Sequence, residues 1–358
     1  MRAARYYGPK DIRIEEIDKP VPKSEQVVVK VSKDWGGWVC GTDLHAYLAE
    51  TLKFPTATEP DPITGETLPI TMGHEFSGTI DELGPGEIPK NGGLDRGSSC
   101  REPIFSCMKE TCRPCSTGSR NTCPFLSSYG IGGGGGGLAE FIAVEVGFVH
   151  KLPENVSLEV GACIEPLAVA WHTVERSKYT KGQTALILGA GPIGLFVLKV
   201  LRAIDPTSTI IVSEPTRLRR DQALKHGASI VVDPTVSDTR KVVLEATRDG
   251  VDVAFDAAGV QGAIDAAVFS VRTKGKVVNV AIWEAGHEGK VNLSYVAVRE
   301  IEIIGVISYE NNHRDVIAAL ADGRIANVED LITRKIALEE VVEKGFEVLL
   351  KDKDLVGR

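Results

Sequence analysis

Four cysteines fall in one short stretch, Cys107-x4-Cys112-x2-Cys115-x7-Cys123, of a chain that has seven in all. Thiolates gathered by so short a loop suit tetrahedral zinc with no open position, which is the arrangement of a structural site. Four free thiols, or a disulfide, are the alternative reading. A second set is of mixed type. Cys40-Gly-Thr42-Asp-Leu-His45 is followed by Gly73-His74-Glu75 and, at the join between two halves of the chain, by Glu165-Pro-Leu-Ala-Val-Ala-Trp-His172. One thiolate, one imidazole and a carboxylate make a three-ligand site with a fourth position open, the layout of a catalytic zinc. Glu165 weighs more than a lone histidine, because a carboxylate on an apolar helix face needs a partner. Cys163, in the same apolar stretch, reads as a small buried hydrophobe. Cys100 is left as a spare thiol.

The third constellation is Gly189-Ala-Gly191-Pro192-Ile193-Gly194. The first glycine allows a tight turn, the second lets backbone approach a pyrophosphate, and the third lets a helix pack close to a strand. Free N–H groups and the positive end of the helix dipole then face phosphate. Glu214 stands 20 residues after Gly194, at the end of the next strand. A carboxylate there accepts bonds from both ribose hydroxyls and repels a 2′-phosphate, which favours NAD over NADP. Arg217, Arg219 and Arg220 lie just beyond and could accept that phosphate instead; Arg219 is taken as a cofactor contact.

These groups need elements to position them. In the first half Ile12, Ile14, Ile17 and Val27, Val29, Val31 alternate as in strands, and Phe76–Ile80 and Leu138–His150 read likewise. Phe54–Pro69 reads as a surface loop, and 107–137 as loop closing in six consecutive glycines, Gly132–Gly137. After Ser157 the pattern changes. Helical spacing over Val160–Val174 precedes strands at 184–188, 209–213, 230–232, 251–256, 277–281 and 301–307, with helices at 194–203, 221–226, 239–247 and 262–269 between them. Strands alternating with helices imply a doubly wound parallel sheet covered on both faces. The expected class is α/β, with a β-rich domain and a second, dinucleotide-binding one.

Composition sets the outer bounds. A net charge of −8 makes broad binding to nucleic acid an unsuitable role. No apolar run approaches the roughly 20 residues that span a bilayer, and the N-terminus lacks the apolar core of a secretory signal. The expectation is a cytoplasmic protein acting on a small molecule, without nucleic-acid or membrane partners.

In order and spacing together, Cys40–His45, Pro62–Pro69, Gly73-His-Glu-Phe-Ser-Gly78, Glu102-Pro103, the cysteine loop, the glycine run, Glu165–His172 and Gly189–Gly194 resemble the zinc-dependent medium-chain dehydrogenases. The polyol and 2,3-butanediol branch is the most similar. The resemblance implies a GroES-like catalytic domain over 1–156 and 308–358, interrupted by a Rossmann domain over 157–307. It implies Cys40, His74, Glu75 and Glu165 at the catalytic zinc, Glu165 directly or through water, and Cys107, Cys112, Cys115 and Cys123 at a structural zinc. Thr42 and His45 match the proton-relay positions. It also implies NAD as cofactor, a secondary alcohol, vicinal diol or polyol as substrate, and a homodimer or homotetramer. Departures from the pattern include the x4 spacing after Cys107, the polar stretch Gly97–Arg101, and Asp34-Trp-Gly-Gly-Trp-Val39 ahead of Cys40.

Overall fold

The computed structural model describes residues 1–32, 39–48, 54–86, 98–101, 104–284 and 286–351, with backbone alone at 98–101. Cys100 as a spare thiol, Glu102-Pro103 and most of Asp34–Val39 lie outside the described residues or side chains.

The second half follows from its strands. Ala185–Leu188 and Ile210–Ser213 are buried at every position, and Val251–Asp256 at all but one. Such unbroken burial is what a parallel strand shows when helices cover both faces. Six strands form this sheet, all parallel, in the spatial order 230–232, 210–213, 185–188, 251–256, 271–279, 302–305. The direction of winding reverses between Ala185–Leu188 and Val251–Asp256, and a doubly wound sheet opens its ligand crevice at such a reversal. Phe196, Leu198 and Leu201 of the helix Pro192–Ile204 and Leu167 and Val174 of Ile164–Ser177 fill the core on one face. Ala263, Ile264 and Val268 of Gln261–Ser270 fill the other.

The first half is antiparallel apart from its helices. Five strands lie in the order 149–151, 98–101, 77–83, 26–31, 141–145, beside a three-stranded sheet of 11–16, 2–8 and 70–71. Val27, Val29 and Ile142 pack on Phe76 and Tyr129. The chain's last described segment returns here. Val341 and Phe346 share a core with Ala4, Tyr6, Ile70 and Met72. The Tyr47 hydroxyl donates to Glu347 Oε1 at 2.9 Å.

Several expected elements change in detail. The stretch Leu138–His150 is two strands, Phe141–Glu145 and Val149–Lys151, separated by a 3-10 turn. Val160–Val174 is two helices, Leu158–Ala162 and Ile164–Ser177, meeting at Cys163. Cys163 is wholly buried, as its apolar surroundings imply. The segment 54–69 is a loop without regular structure and largely exposed, as expected, but it is anchored: Asp61 is buried, and the loop docks on the glycine run.

Candidate active site

Cys40 precedes the helix Gly41–Leu48, an element the alternation pattern does not announce. Its carbonyl accepts from Leu44 N at 3.2 Å, and its own amide donates to Asp43 Oδ2 at 3.0 Å. An acid three residues into a helix that reaches back to the first amide is half of a capping box. A thiol at this end also sits where the helix dipole favours a thiolate. The other oxygen of Asp43 lies 3.3 Å from His74 Nδ1. Asp43 is wholly buried and thus fixes both the thiol-bearing turn and the imidazole. Such a carboxylate leaves Nε2 as the ring's free ligand atom. Sequence reasoning missed Asp43; its signal was an acid at the third helical position after a candidate ligand.

Gly73 reaches His74 and Glu75 through a positive φ of 95°. The ligand atoms of Cys40, His74 and Glu75 lie within 4.8 Å of one another. Glu165, in the first turn of Ile164–Ser177, lies outside that group of three, although it lines the same cleft. Burial pushes its carboxyl above the usual range, with Glu75 and Tyr309 among its neighbours. Tyr309 is wholly buried and was also missed, since nothing in its surroundings in the sequence marks it.

The electrostatics are those of a cation hole. Burial, then the neighbouring Glu165, push Glu75 up to about 8. Burial, then Glu75, push the Cys40 thiol up to about 12. Burial works against a charge on His74, but Asp43 and Cys40 outweigh it and hold the ring well above its usual value. Buried carboxyls and a thiol side by side strongly resist ionising. One thiol, one imidazole and carboxylate oxygen form the mixed donor set that a borderline cation such as zinc takes, and a dication relieves the repulsion among them. Glu75 Oε2 is buried with no hydrogen-bond partner, as an atom reserved for a metal would be.

The cysteine loop folds into a compact knot. Cys112 opens a short helix, Arg113–Ser116, and a 3-10 turn precedes Cys123. The four sulfurs lie within 4.8 Å of one another, with Cys107 to Cys115 at 3.7 Å and Cys112 to Cys123 at 3.9 Å. A disulfide needs about 2.05 Å, whereas four sulfurs about 2.3 Å from one zinc stand about 3.8 Å apart. Cys107 joins the group despite its longer spacing.

At the phosphate turn, Gly189 has φ of 92° and its amide donates to Ser213 O at 2.8 Å. A side chain on Gly194 would overlap the carbonyl of Gly189. Gly191 is different: a Cβ there would meet nothing nearer than Arg219 Nη1 at 3.9 Å. Protein packing does not require that glycine, so the space beside it suits an approaching pyrophosphate. Pro192 occupies the first turn of its helix, where a missing N–H costs nothing. Glu214 is buried and accepts from Ala190 N at 2.7 Å and Thr216 N at 2.9 Å, which holds it against the turn. Of the three arginines, Arg220 pairs with Asp233 at 3.0 Å and Arg217 points into solvent, so Arg219 alone flanks the turn.

Thr42 and His45 lie three residues apart on one helix, and both line a cleft of about 910 Å³ between the metal-ligand cluster and the Rossmann sheet. Cys40, His74, Glu75, Glu165, Pro192, Ile193, Gly259 and Trp283 line it too. Comparison with known proteins agrees with this geometry. The profile of the alcohol dehydrogenase GroES-like domain matches residues 23–154, and that of the zinc-binding dehydrogenase domain matches 192–322. The chain is 38% identical over 358 residues to (R,R)-butanediol dehydrogenase of Bacillus subtilis, covering 99% of this chain and 98% of that protein. It belongs to the zinc-dependent medium-chain dehydrogenases, in their polyol and butanediol branch.

A second relative, (R,R)-butanediol dehydrogenase of Saccharomyces cerevisiae, is 32% identical, with 99% and 96% of the two chains covered. The crystal structure of 2R,3R-butanediol dehydrogenase from Bacillus subtilis superposes with a TM-score of 0.90 at 36% identity, over 99% of this chain and 98% of that one. The dehydrogenase therefore takes zinc and a nicotinamide cofactor. Among the described residues no helix is long and apolar enough to cross a membrane.

Proposed function

We propose that the protein oxidises a secondary alcohol, and a vicinal diol of the 2,3-butanediol type best, with NAD as acceptor. The observation that carries this is the convergence of Cys40, His74 and Glu75 in a cleft that ends at the glycine turn. Cys40, His74 and Glu75 would hold the zinc, whose contribution would be Lewis acidity toward the carbinol oxygen, and a bound nicotinamide would supply the hydride acceptor. Glu165, with Glu75 and Tyr309 as neighbours, is the fourth donor, direct or through water. The Thr42 hydroxyl would accept the carbinol proton while passing its own on, by way of the cofactor ribose, toward His45, which lies one turn on and partly exposed, and from there to solvent. Asp43 keeps the His74 ring in orientation throughout. Cys107, Cys112, Cys115 and Cys123 hold a second zinc with a structural role. Glu214 receives the adenosine ribose, and Gly189 to Gly194 the pyrophosphate; Arg219 lies beside them.

The same reading divides the chain into a catalytic domain of 1–156 and 308–358 and a nucleotide domain of 157–307. The packing of Val341 and Phe346 on Tyr6 and Met72 supports the return into the first domain. It also includes self-association. The strand Glu302–Gly305 forms an edge of the sheet, with Ile303, Ile307, Leu293 and Val298 exposed around it, which suits a second copy pairing there. A cytoplasmic location fits a loop of four unoxidised thiols. The test is a panel of secondary alcohols, diols and polyols with NAD and NADP, with zinc stoichiometry on the same sample. Turnover of 2,3-butanediol with NAD and two zinc ions per chain are expected. A metal-free protein with undiminished activity would overturn the reading.

A further inference from the structure

Gly132–Gly137 packs as bare backbone between two other segments. On one side lie the residues around the ligand turn. Gly137 N donates to Gly73 O at 2.7 Å and Leu138 N to Met72 O at 2.9 Å, and a Cβ on Gly137 would stand 2.5 Å from Phe76 Cβ. On the other side lies the loop 61–66. Thr64 Oγ1 donates to Gly132 O at 2.6 Å, and Gly134 N donates to Glu66 Oε1 at 3.0 Å.

Where the two meet, Ser127 Oγ donates to Asp61 Oδ2 at 2.7 Å. The second oxygen of Asp61 accepts from Ile63 N at 2.9 Å and Thr64 N at 2.8 Å. Asp61 and Ser127 are each 6% exposed, and both line the cleft that holds Cys40, His74 and Glu75. A side chain on Gly132 would overlap Ser127 Oγ and Asp61 Oδ2 together. Glycine at that position is what lets this pair form.

We propose that the Asp61–Ser127 pair is a specificity-determining contact that binds a substrate hydroxyl remote from the reacting carbon. The inference rests on the alcohol dehydrogenase reading and deepens it. A buried carboxylate is costly unless its oxygens are bonded. Three donors from the protein secure Asp61, but a carboxylate and a hydroxyl together offer more acceptor positions than three. Both residues line the cleft, along with Leu126, Ile131 and Ile104. A hydroxyl is the substrate group that such acceptors take.

Gly130 lies against the backbone of Gly73, directly before His74, and Gly132 lies against the pair. Two residues span at most about 7 Å, so Gly132 stands no farther than that from the residue packed on the ligand turn, a separation that a polyol chain can bridge. The negative charge selects uncharged polyols over phosphorylated or carboxylated ones. No lysine or arginine lines the cleft among the described residues.

The test compares Ser127→Ala and Asp61→Asn with the wild type on 2-butanol, 2,3-butanediol and a tetritol. Melting temperature and zinc content are measured on each protein. Loss of one hydrogen bond of this kind corresponds to about 3–10-fold. The expected result is a fall of that size in kcat/KM for the tetritol, carried by KM, with 2-butanol and 2,3-butanediol within about twofold. An equal fall on all three substrates would show that the pair only braces the loop. No change on any, or a wild type that oxidises 2,3-butanediol but not the tetritol, would equally overturn the proposal. A wild type inactive on all three defeats the dehydrogenase reading instead.

Discussion

Replacing Asp43 with alanine strikes the metal site without touching a ligand. Asp43 makes two contacts at once, accepting from Cys40 N at 3.0 Å and standing 3.3 Å from His74 Nδ1. It is wholly buried, so water does not take over either role. Removing the outer partner of a metal-ligating histidine weakens metal binding about 10–100-fold, and loss of the 3.3 Å approach of Asp43 to His74 should fall in that range. The assay is chelator competition followed by metal analysis. The Asp43→Ala variant should lose one zinc at chelator concentrations that leave the wild type with two, while the cysteine loop keeps its own. Asp43→Asn retains an oxygen acceptor and should lie between. A variant that holds both ions as tightly as the wild type would refute the idea that Asp43 positions His74.

Three further outcomes follow. Glu214→Ala should weaken NAD by about tenfold and narrow its advantage over NADP, measured by cofactor titration, because the carboxylate beside Gly191 is gone while Arg219 remains. Gly137→Ala places a methyl 2.5 Å from Phe76 Cβ; overpacking of this kind costs about 1–3 kcal/mol, read as a lower melting temperature together with weaker zinc retention. His226 is held down to about 4, by burial first and then by Lys199 and Lys225. Its folded value lies below the unfolded 6.5, so its contribution to stability is complete above pH 6.5 and is lost as pH falls through 4. Stability should drop by up to about 1.4 kcal/mol per pH unit in that window, and His226→Asn should flatten the slope.

The sequence disclosed what depends on local spacing. The glycine turn, Glu214, the cysteine loop and the parallel sheet all rest on residues near one another in the chain or on periodic burial, and the structure brings each together. It concealed what depends on contacts between distant segments. Asp43 stood in view within the Cys40–His45 motif, yet its role emerges only when His74 is placed beside it. Tyr309 reaches Glu165 across 144 positions of chain, as 309 less 165, and no pattern near it signals this. The segment 54–69 has the composition of a solvated loop, and only its docking on the glycine run shows why Asp61 is buried. The helix Gly41–Leu48 was hidden because its polar residues, Thr42, Asp43 and His45, interrupt any apolar stripe.

On the proposed function, Cys40 helps hold a metal on which alcohol oxidation depends, separate from the cofactor and from the cysteine loop. Cys40→Ser, assayed for 2,3-butanediol turnover, for NADH binding by fluorescence titration and for zinc content, tests this. Turnover below detection, NADH affinity within about threefold of the wild type, and one zinc retained by the cysteine loop are expected. Full turnover in that variant, or loss of both metals together, would contradict it.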